Sequence, residues 1–302
     1  MENLIEIKKL RRNSLDITAL YTLIDDFSKE ISSMDCWKNI EHYSQGARGP
    51  KKNLSLSEVV TLNILRFYLR VTDLKSFHRL VKELYKGEFP SIPNYENFLK
   101  ATNKSAIFCS IFLQYLASIN RLKSAGGAHF IDSTPISVCK NYNIYRHKVT
   151  KGMAERGKST KGWFYGFKLH GVCNSTGDLE NIFFTAGNVH DSQILEPMVQ
   201  NLSGTITCDA GYLVKKEVLE RIYQRSRRIY IATRKNMNCL MTEEQKHLFR
   251  KRSRIETVWG VLKERFNIIY HIARSPQGMF RHFFYSILSY MLFNSQKEIL
   301  LL

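Results

Sequence analysis

Acidic residues are scarce in this chain relative to basic ones. The 302 residues include 27 Asp and Glu against 45 Lys and Arg, which gives a formal charge of +18 and a pI near 9.6. Such an excess of positive charge favours a polyanionic partner, and DNA, RNA and an anionic membrane surface all qualify. Hydrophobic residues make up 44% of the chain and charged residues 24%, as in ordinary soluble globular proteins, so the composition argues against disorder of the whole chain.

Long hydrophobic runs and signal-peptide features are also lacking. The most apolar stretch, 283–293, is too short to span a bilayer and contains Tyr and Ser. The N-terminal residues 1–6 do not show the pattern of a signal peptide. We therefore expect a cytoplasmic protein with no membrane partner.

Closely spaced cysteines are absent. There is no Cys-x-x-Cys pair and no Cys/His cluster with zinc-binding spacing. The sequence therefore predicts small buried thiols in a reducing compartment. The six cysteines are Cys36, Cys109, Cys139, Cys173, Cys208 and Cys239.

The first part of the chain, 1–125, has helical patterns and predicts an all-α N-terminal domain. Ser55 and Glu58 form a capping-box pattern that opens one helix, and Thr72 or Asp73 can cap the next after a very short turn. Two helices joined in this way are typical of helix-turn-helix DNA binding, and equally of a helical packing domain.

A third helical stretch begins at Asn94 and ends before the linker 124–127. Beyond this linker the pattern changes to strands. The segments 130–138, 163–172 and 179–186 are rich in β-branched and aromatic residues, with a hairpin turn between the last two. Three antiparallel strands are predicted.

The following segments alternate between helix and strand. Helices are predicted over 191–202 and 215–224, and short strands over 205–208 and 228–233. Three strands followed by this alternation are typical of a ribonuclease-H-like α/β domain, a mixed sheet flanked by helices. We predict such a catalytic domain, with a C-terminal helix, over 126–302.

Three carboxylates occupy settings that suit a divalent metal. Asp132 and Asp209 end apolar strand-like runs, and Glu256 lies on a basic helical stretch. In the predicted strand order the first and fourth strands are neighbours, which brings Asp132 and Asp209 together. Carboxylate oxygens are preferred Mg²⁺ ligands, so the trio predicts metal-dependent phosphoryl transfer. Taken singly, the aspartates are also typical of turns and Glu256 of a solvated helix.

Two cations are spaced to share a helix face with the third acid. With 3.6 residues per turn, positions i−4, i and i+7 lie on one face, so Arg252, Glu256 and Lys263 can point into the same cleft. Lys168 and His170 alternate on one strand face and can reach this cleft, or form plain cross-strand contacts. All four basic side chains are candidates for DNA binding.

Several other polar and aromatic residues have two interpretations. His190 and Asp191 suit a helix cap better than a place near the metal. Trp163 and Trp259 suit stacking on unpaired bases, although Trp259 also suits packing beneath its helix.

Two basic segments carry much of the excess charge. The segment 140–161 holds seven Lys or Arg against one Glu and is predicted to be a flexible loop, with Arg146 and Lys148 as DNA contacts. The segment 234–254 holds seven more and adds Arg254 to the DNA-contacting candidates. Solvated charge explains individual lysines equally well.

Five segments resemble those of bacterial insertion-sequence transposases of the DDE type, most closely the insertion sequence 982 family. The resemblance extends from about residue 128 to 270. The segments are Ile131–Pro135, Gly166–His170, Gly187–Ser192, Cys208–Tyr212 and Arg252–Lys263. Related transposases place an Arg four residues before the glutamate and a Lys seven after it, as here. They often have a Tyr where this chain has Phe249, which lacks the phenolic hydroxyl.

The resemblance implies a function and a set of partners. It implies a transposase that cuts insertion-sequence ends and joins them to target DNA, with Asp132, Asp209 and Glu256 holding Mg²⁺ or Mn²⁺, in a two-ion arrangement. It also implies a homodimer in the synaptic complex and association with the nucleoid. Two alternatives stay open: a ribonuclease-H-like nuclease without strand transfer, which would share the three acids, and a non-catalytic DNA-binding protein from a decayed element, against which the intact trio argues.

Overall fold

The computed structural model describes residues 15–35, 37, 53–223, 227–232, 241–269 and 273–294. These residues form two compact units. The first comprises the described residues up to Phe112 together with Phe280–Ser289, and the second comprises Leu113–Met279 and the described residues from Tyr290 onward. The predicted domain boundary between residues 125 and 126 stays a prediction.

The described part of the first unit is built from helices. Their starts follow from the sequence, because a side chain at each N-cap accepts a hydrogen bond from a backbone N–H of the first turn. The helices are α1 (Ile17–Ser32), α2 (Leu56–Tyr68), α3 (Leu74–Leu84), α4 (Tyr95–Lys104) and the first part of α5 (Ala106–Lys123). The capping box of Ser55 and Glu58 is confirmed, and Asp73 caps α3.

Two helices replace the single stretch predicted after Asn94. The helix α4 ends at Lys104 and α5 begins at Ala106. The Ser105 hydroxyl between them donates to the Thr102 carbonyl, a local bond that competes with continuation of one helix.

The second unit contains a six-stranded mixed sheet. Its strands are β1 (Ala128–Cys139), β2 (Glu155–Ser159), β3 (Gly162–Asn174), β4 (Leu179–Ala186), β5 (Gly204–Cys208) and β6 (Arg227–Ile231). The hydrogen-bonded order is β2-β3-β1-β5-β6, with β4 also paired to β3. The strand β3 is antiparallel to both β1 and β4. The strand β5 is parallel to both β1 and β6. The predicted mixed α/β architecture is confirmed.

Two local predictions in this unit are wrong. The segment 140–161 is not simply a loop, since it contains a 3-10 helix over Asn141–Arg146 and the strand β2. The sequence gives no indication of this strand, because β2 is charged and lacks a run of apolar residues. The helix predicted over 191–202 is a 3-10 turn at Asp191–Gln193 followed by the short α6 (Leu195–Val199).

Helices flank the sheet and cover its apolar residues. They include α6, α7 (Lys216–Tyr223) and α9 (Ser253–Glu264), whereas α8 (Glu243–Lys251) has no buried residue. Side chains of β1, β5 and α6 form one buried cluster, in which Ile131, Ile206 and Met198 are fully buried. The last described helix, α10, spans Pro276–Asn294. Residues 224 and 233, at the ends of a predicted helix and strand, lie outside the described residues.

The cysteines of the described segments are buried and form no disulfide: Cys109, Cys139, Cys173 and Cys208. This agrees with the predicted role of small core residues, while Cys36 and Cys239 lie outside the described residues. Across the same segments, no helix combines the length and apolar character required to cross a bilayer.

Candidate active site

Two of the predicted acids lie at matching positions on adjacent parallel strands. Ile131 on β1 pairs with Cys208 on β5, and each is followed directly by an aspartate, Asp132 or Asp209. Asp209 is exposed and its Oδ1 accepts a hydrogen bond of 2.7 Å from the Ala210 amide. The predicted adjacency of the two strands is confirmed, and it places the two acids beside each other at one level of the sheet.

Asp132 is the more enclosed acid. Its side chain is 20% exposed, and Oδ2 accepts a hydrogen bond of 3.2 Å from Nε1 of Trp259. Burial raises the pKa of Asp132 to about 6; the Arg252 charge opposes this shift and the Glu256 charge adds to it. The ionised form of Asp132 is therefore poorly compensated by the protein's own groups.

Trp259 reaches Asp132 because of a glycine on the neighbouring strand. Gly171 pairs with Asp132 across β1 and β3, and a side chain at position 171 would collide with the Trp259 ring. The glycine lets the indole lie against the sheet while its N–H points at the carboxylate. Trp259 is 5% exposed, so it packs beneath α9 and contacts the acid as well.

Charged side chains at the start of α9 and along it contact β1 or each other. Nη2 of Arg252 is 2.9 Å from Oε1 of Glu256, and its Nη1 is 3.9 Å from Oδ1 of Asp132. The Lys263 ammonium donates to the Thr134 hydroxyl, two residues after Asp132 on β1. Arg252, the N-cap residue directly before α9, bridges the first and third acids, while the single cleft predicted for Arg252, Glu256 and Lys263 stays a prediction.

A fourth carboxylate, Asp191, contacts the residue that directly follows Asp132 on β1. Its Oδ2 accepts from the Ser133 hydroxyl at 3.1 Å, and its Oδ1 is 2.9 Å from the Lys168 ammonium. It also lies close to Gly211, two residues after Asp209. Asp191 therefore contacts or adjoins the segments that follow both strand-borne acids.

The capping role predicted for the His190–Asp191 pair falls on His190 alone. His190 Nδ1 accepts from the Ser192 amide at the start of the 3-10 turn. Sequence reasoning missed the role of Asp191 because its partners, Ser133 and Lys168, lie on other strands and no local pattern reveals them.

His170 is fully buried on β3. Its Nε2 lies 2.8 Å from the Thr185 hydroxyl, and Nδ1 lies 3.5 Å from the Tyr212 hydroxyl. Burial lowers the pKa of His170 to about 4, and the Lys168 charge adds to this shift against the opposing effect of Asp191. A buried, neutral imidazole supports the strand and offers no charge to a phosphate.

The remaining predicted DNA contacts lie on other surfaces. Arg146 and Lys148 are exposed next to the 3-10 helix. Arg254 is two positions from Arg252 on α9 and therefore points to the opposite side of the helix. There it lines a shallow depression with other basic side chains, among them Arg250.

Among the described residues, no group of three or more His, Cys, Asp and Glu side chains is gathered as a metal site. The donor chemistry nevertheless fits a divalent cation, since carboxylate oxygens are what Mg²⁺ and Mn²⁺ prefer. Burial raises the pKa of Asp132 and the nearby Glu256 charge adds to this shift, so a cation at the site would favour the ionised form of Asp132. Asp132, Asp209 and Glu256 are the residues that would hold the ion.

A sheet with acids on two adjacent strands and a third acid on a flanking helix points to an enzyme of phosphoryl transfer. A family model described as "Transposase DDE domain" matches residues 123–276, about half of the chain, and the match includes all three acids. The chain belongs to this family of transposases. The family is one of DNA-cleaving enzymes that act in transposition and generally use divalent metal ions. No curated protein and no solved structure matches the chain.

Proposed function

We propose that the chain is a DNA transposase that cuts the ends of an insertion sequence and joins their 3′-ends to target DNA. The observation that carries the proposal is the placement of Asp132 on β1 and of Asp209 directly after the adjacent parallel strand β5, with Glu256 linked to Asp132 through Arg252. We further propose a ribonuclease-H-like classification for this domain and membership of the insertion sequence 982 family, on the strand order and the five motif segments.

Asp132, Asp209 and Glu256 would hold Mg²⁺ or Mn²⁺. Ions held there, two in the proposed arrangement, would supply the positive charge that activates a water or a 3′-hydroxyl and stabilises the leaving oxygen. Burial raises the pKa of Asp132 and so disfavours its charge. Positive charge added beside Asp132 would therefore favour its ionised form.

The protein's own cations are proposed to bind the phosphates beside the acids. Arg252 forms ion pairs with both Asp132 and Glu256. Its planar guanidinium can bind a phosphate through the same N–H donors that bind a carboxylate. Lys263 lies along the same face, where burial and the Lys161 charge lower its pKa. Both cations are positioned at the acids before DNA arrives, which reduces the cost of ordering them.

Lys168 has a different proposed role. Its side chain is 15% exposed, and its ammonium already donates to the Val189 carbonyl and contacts Asp191. It is proposed to hold Asp191 against Ser133 on β1. His170, being fully buried, is not part of the proposed DNA-contacting set.

The helices of the first unit are proposed to bind DNA. The helix α3 follows α2 after a short turn, and its exposed side carries Lys75, Arg79 and Lys82 at positions i, i+4 and i+7. A row of cations with this spacing lies on one helix face and suits contacts to a phosphate backbone.

Arg146, Lys148 and Arg254 are proposed as further phosphate contacts because they are exposed. Joining two element ends requires a pair of active sites, so a homodimer is proposed for the synaptic complex. The nucleoid is the proposed location because both substrates are chromosomal or element DNA.

The experiment that tests the function combines the protein, DNA carrying the element's own ends, Mg²⁺ and a supercoiled target. End cleavage followed by joined products supports a transposase. Cleavage without joining identifies a nuclease of the same fold. DNA binding without cleavage identifies a non-catalytic DNA-binding protein.

A further inference from the structure

Three large aromatic side chains project from one short region of the second unit. Tyr142 is 74% exposed, Tyr145 is 90% exposed and Trp163 is 63% exposed. The two tyrosines belong to the 3-10 helix after β1, and Trp163 begins the second strand of the β2–β3 hairpin. Exposed apolar rings concentrated in one place are characteristic of an interaction surface.

The hairpin and the 3-10 helix present these rings together. In the β2–β3 register, Lys158 lies opposite Trp163 and Arg156 lies opposite Tyr165, so all four side chains share one face. The His147 ring contacts the Tyr165 ring at 6.1 Å, which places the end of the 3-10 helix at this face.

A hydrogen bond fixes the other end of the 3-10 helix to the same strand. Asn141 Nδ2 donates to the Trp163 carbonyl over 2.8 Å. The surface is therefore a structured element of the fold, not a set of independent side chains on a loop.

Each of the three rings has a cation beside it. The Arg156 guanidinium lies 5.9 Å from the centre of the Tyr145 ring, and the Lys158 ammonium lies 5.8 Å from the Trp163 ring. Lys140 lies 5.9 Å from the Tyr142 ring in the same way. We call this set the aromatic–basic patch: Lys140, Tyr142, Tyr145, Arg156, Lys158 and Trp163.

We propose that the aromatic–basic patch binds unpaired bases of DNA, with the rings stacking on the bases and the cations contacting the flanking phosphates. Rings that alternate with cations suit single strands because every base has a π-face and every nucleotide a phosphate. A duplex keeps its bases stacked inside, so it can use the cations alone. The proposal rests on the proposed function, since cutting and joining a DNA end exposes unpaired bases next to the acids.

The hairpin also lies near the acids. Lys161, in the turn between β2 and β3, is close enough to Lys263 to help lower the pKa of that lysine, after the larger effect of burial. Lys263 in turn contacts Thr134, two residues beyond Asp132. The turn of the hairpin and Lys263 therefore lie within range of each other's charge.

The test measures binding of the full chain, in EDTA so that no cleavage occurs, to single-stranded and duplex DNA of the same sequence. The single strand carries a fluorescent adenine analogue whose emission reports stacking. We expect Trp163→Ala and Tyr145→Ala each to weaken single-strand binding about tenfold and to lose the fluorescence change. Trp163→Phe should retain most of both, because it keeps an aromatic face. Duplex binding should change by less than about twofold.

Tyr115→Ala is the matched control, since Tyr115 is an exposed tyrosine of the same unit on α5. It should bind both DNAs as the wild type does. Unchanged single-strand binding by Trp163→Ala and Tyr145→Ala overturns the proposal, as does an equal loss on both DNAs. Because no catalysis is measured, these results are distinct from a failure of end cleavage, which would overturn the proposed function instead.

Discussion

The indole Nε1 of Trp259 donates a hydrogen bond to Oδ2 of Asp132 over 3.2 Å. Trp259 lies three residues after Glu256 on α9, and Asp132 lies on β1. One side chain therefore ties the helix that carries the third acid to the strand that carries the first. The bond also favours the ionised form of Asp132, against the larger effect of burial, which raises its pKa.

The raised pKa of Asp132 predicts a cost in stability. Its folded-state pKa of about 6 lies above the ordinary value of 3.8. Between these pH values the folded chain binds more protons than the unfolded chain, so stability falls as pH rises through this window and stays at the lower level above it. Removing the charge should therefore stabilise the metal-free protein at neutral pH.

Asp132→Asn should raise the free energy of unfolding by about 1–3 kcal/mol at neutral pH, and the gain should vanish below about pH 4. Urea unfolding in EDTA at several pH values measures this. Asp26→Asn, at an exposed position on α1, should show no comparable gain. A destabilised Asp132→Asn variant at neutral pH, or a gain that does not depend on pH, would contradict the account.

Asp191→Ala should slow DNA cleavage while leaving DNA binding close to normal. The substitution removes the partner of Lys168 and of Ser133, which directly follows Asp132. Residues that support metal ligands without binding the metal commonly contribute 10- to 100-fold in activity or metal affinity. We expect a loss of roughly that size. The Mg²⁺ concentration for half-maximal rate should also rise. Asp191→Asn should be intermediate, because an amide oxygen still accepts from Ser133. Wild-type rate and Mg²⁺ dependence in Asp191→Ala would remove it from the site.

Arg252→Ala and Lys263→Ala should each lower turnover and weaken phosphate-dependent DNA binding. Loss of a positioned cation at a transferring phosphate costs on the order of 100-fold in rate. Single-turnover cleavage and the salt dependence of binding measure the two effects. Lys216→Ala, at a lysine that is 86% exposed on α7, is the control. If both variants match this control, neither cation acts at the site.

Local sequence patterns were sufficient for much of the fold. The capping box at Ser55 and the hairpin turn after Asn174 act over a few residues, and both are present in the structure. The strand order expected of a ribonuclease-H-like domain makes the strand of Asp132 and the strand before Asp209 neighbours, and this adjacency is present in the structure.

Contacts between distant segments were not predictable in the same way. Asp191 depends on Ser133 and Lys168, and the Trp259 contact with Asp132 depends on the absence of a side chain at Gly171. Such contacts are set by tertiary packing, for which a single sequence carries no local signal. The strand β2 was missed for a related reason, since its pairing with β3 compensates for its polar sequence.

The most direct test of the central claim is the effect of Asp209→Asn on Mg²⁺-dependent cleavage and joining of element-end DNA. The substitution keeps the size of an exposed side chain and an oxygen acceptor for the Ala210 amide, so the loop should retain its shape. We expect Asp209→Asn to cleave at background level with DNA binding largely intact. The control Asp26→Asn should react as the wild type does. Cleavage by Asp209→Asn at the wild-type rate would contradict the assignment of the site.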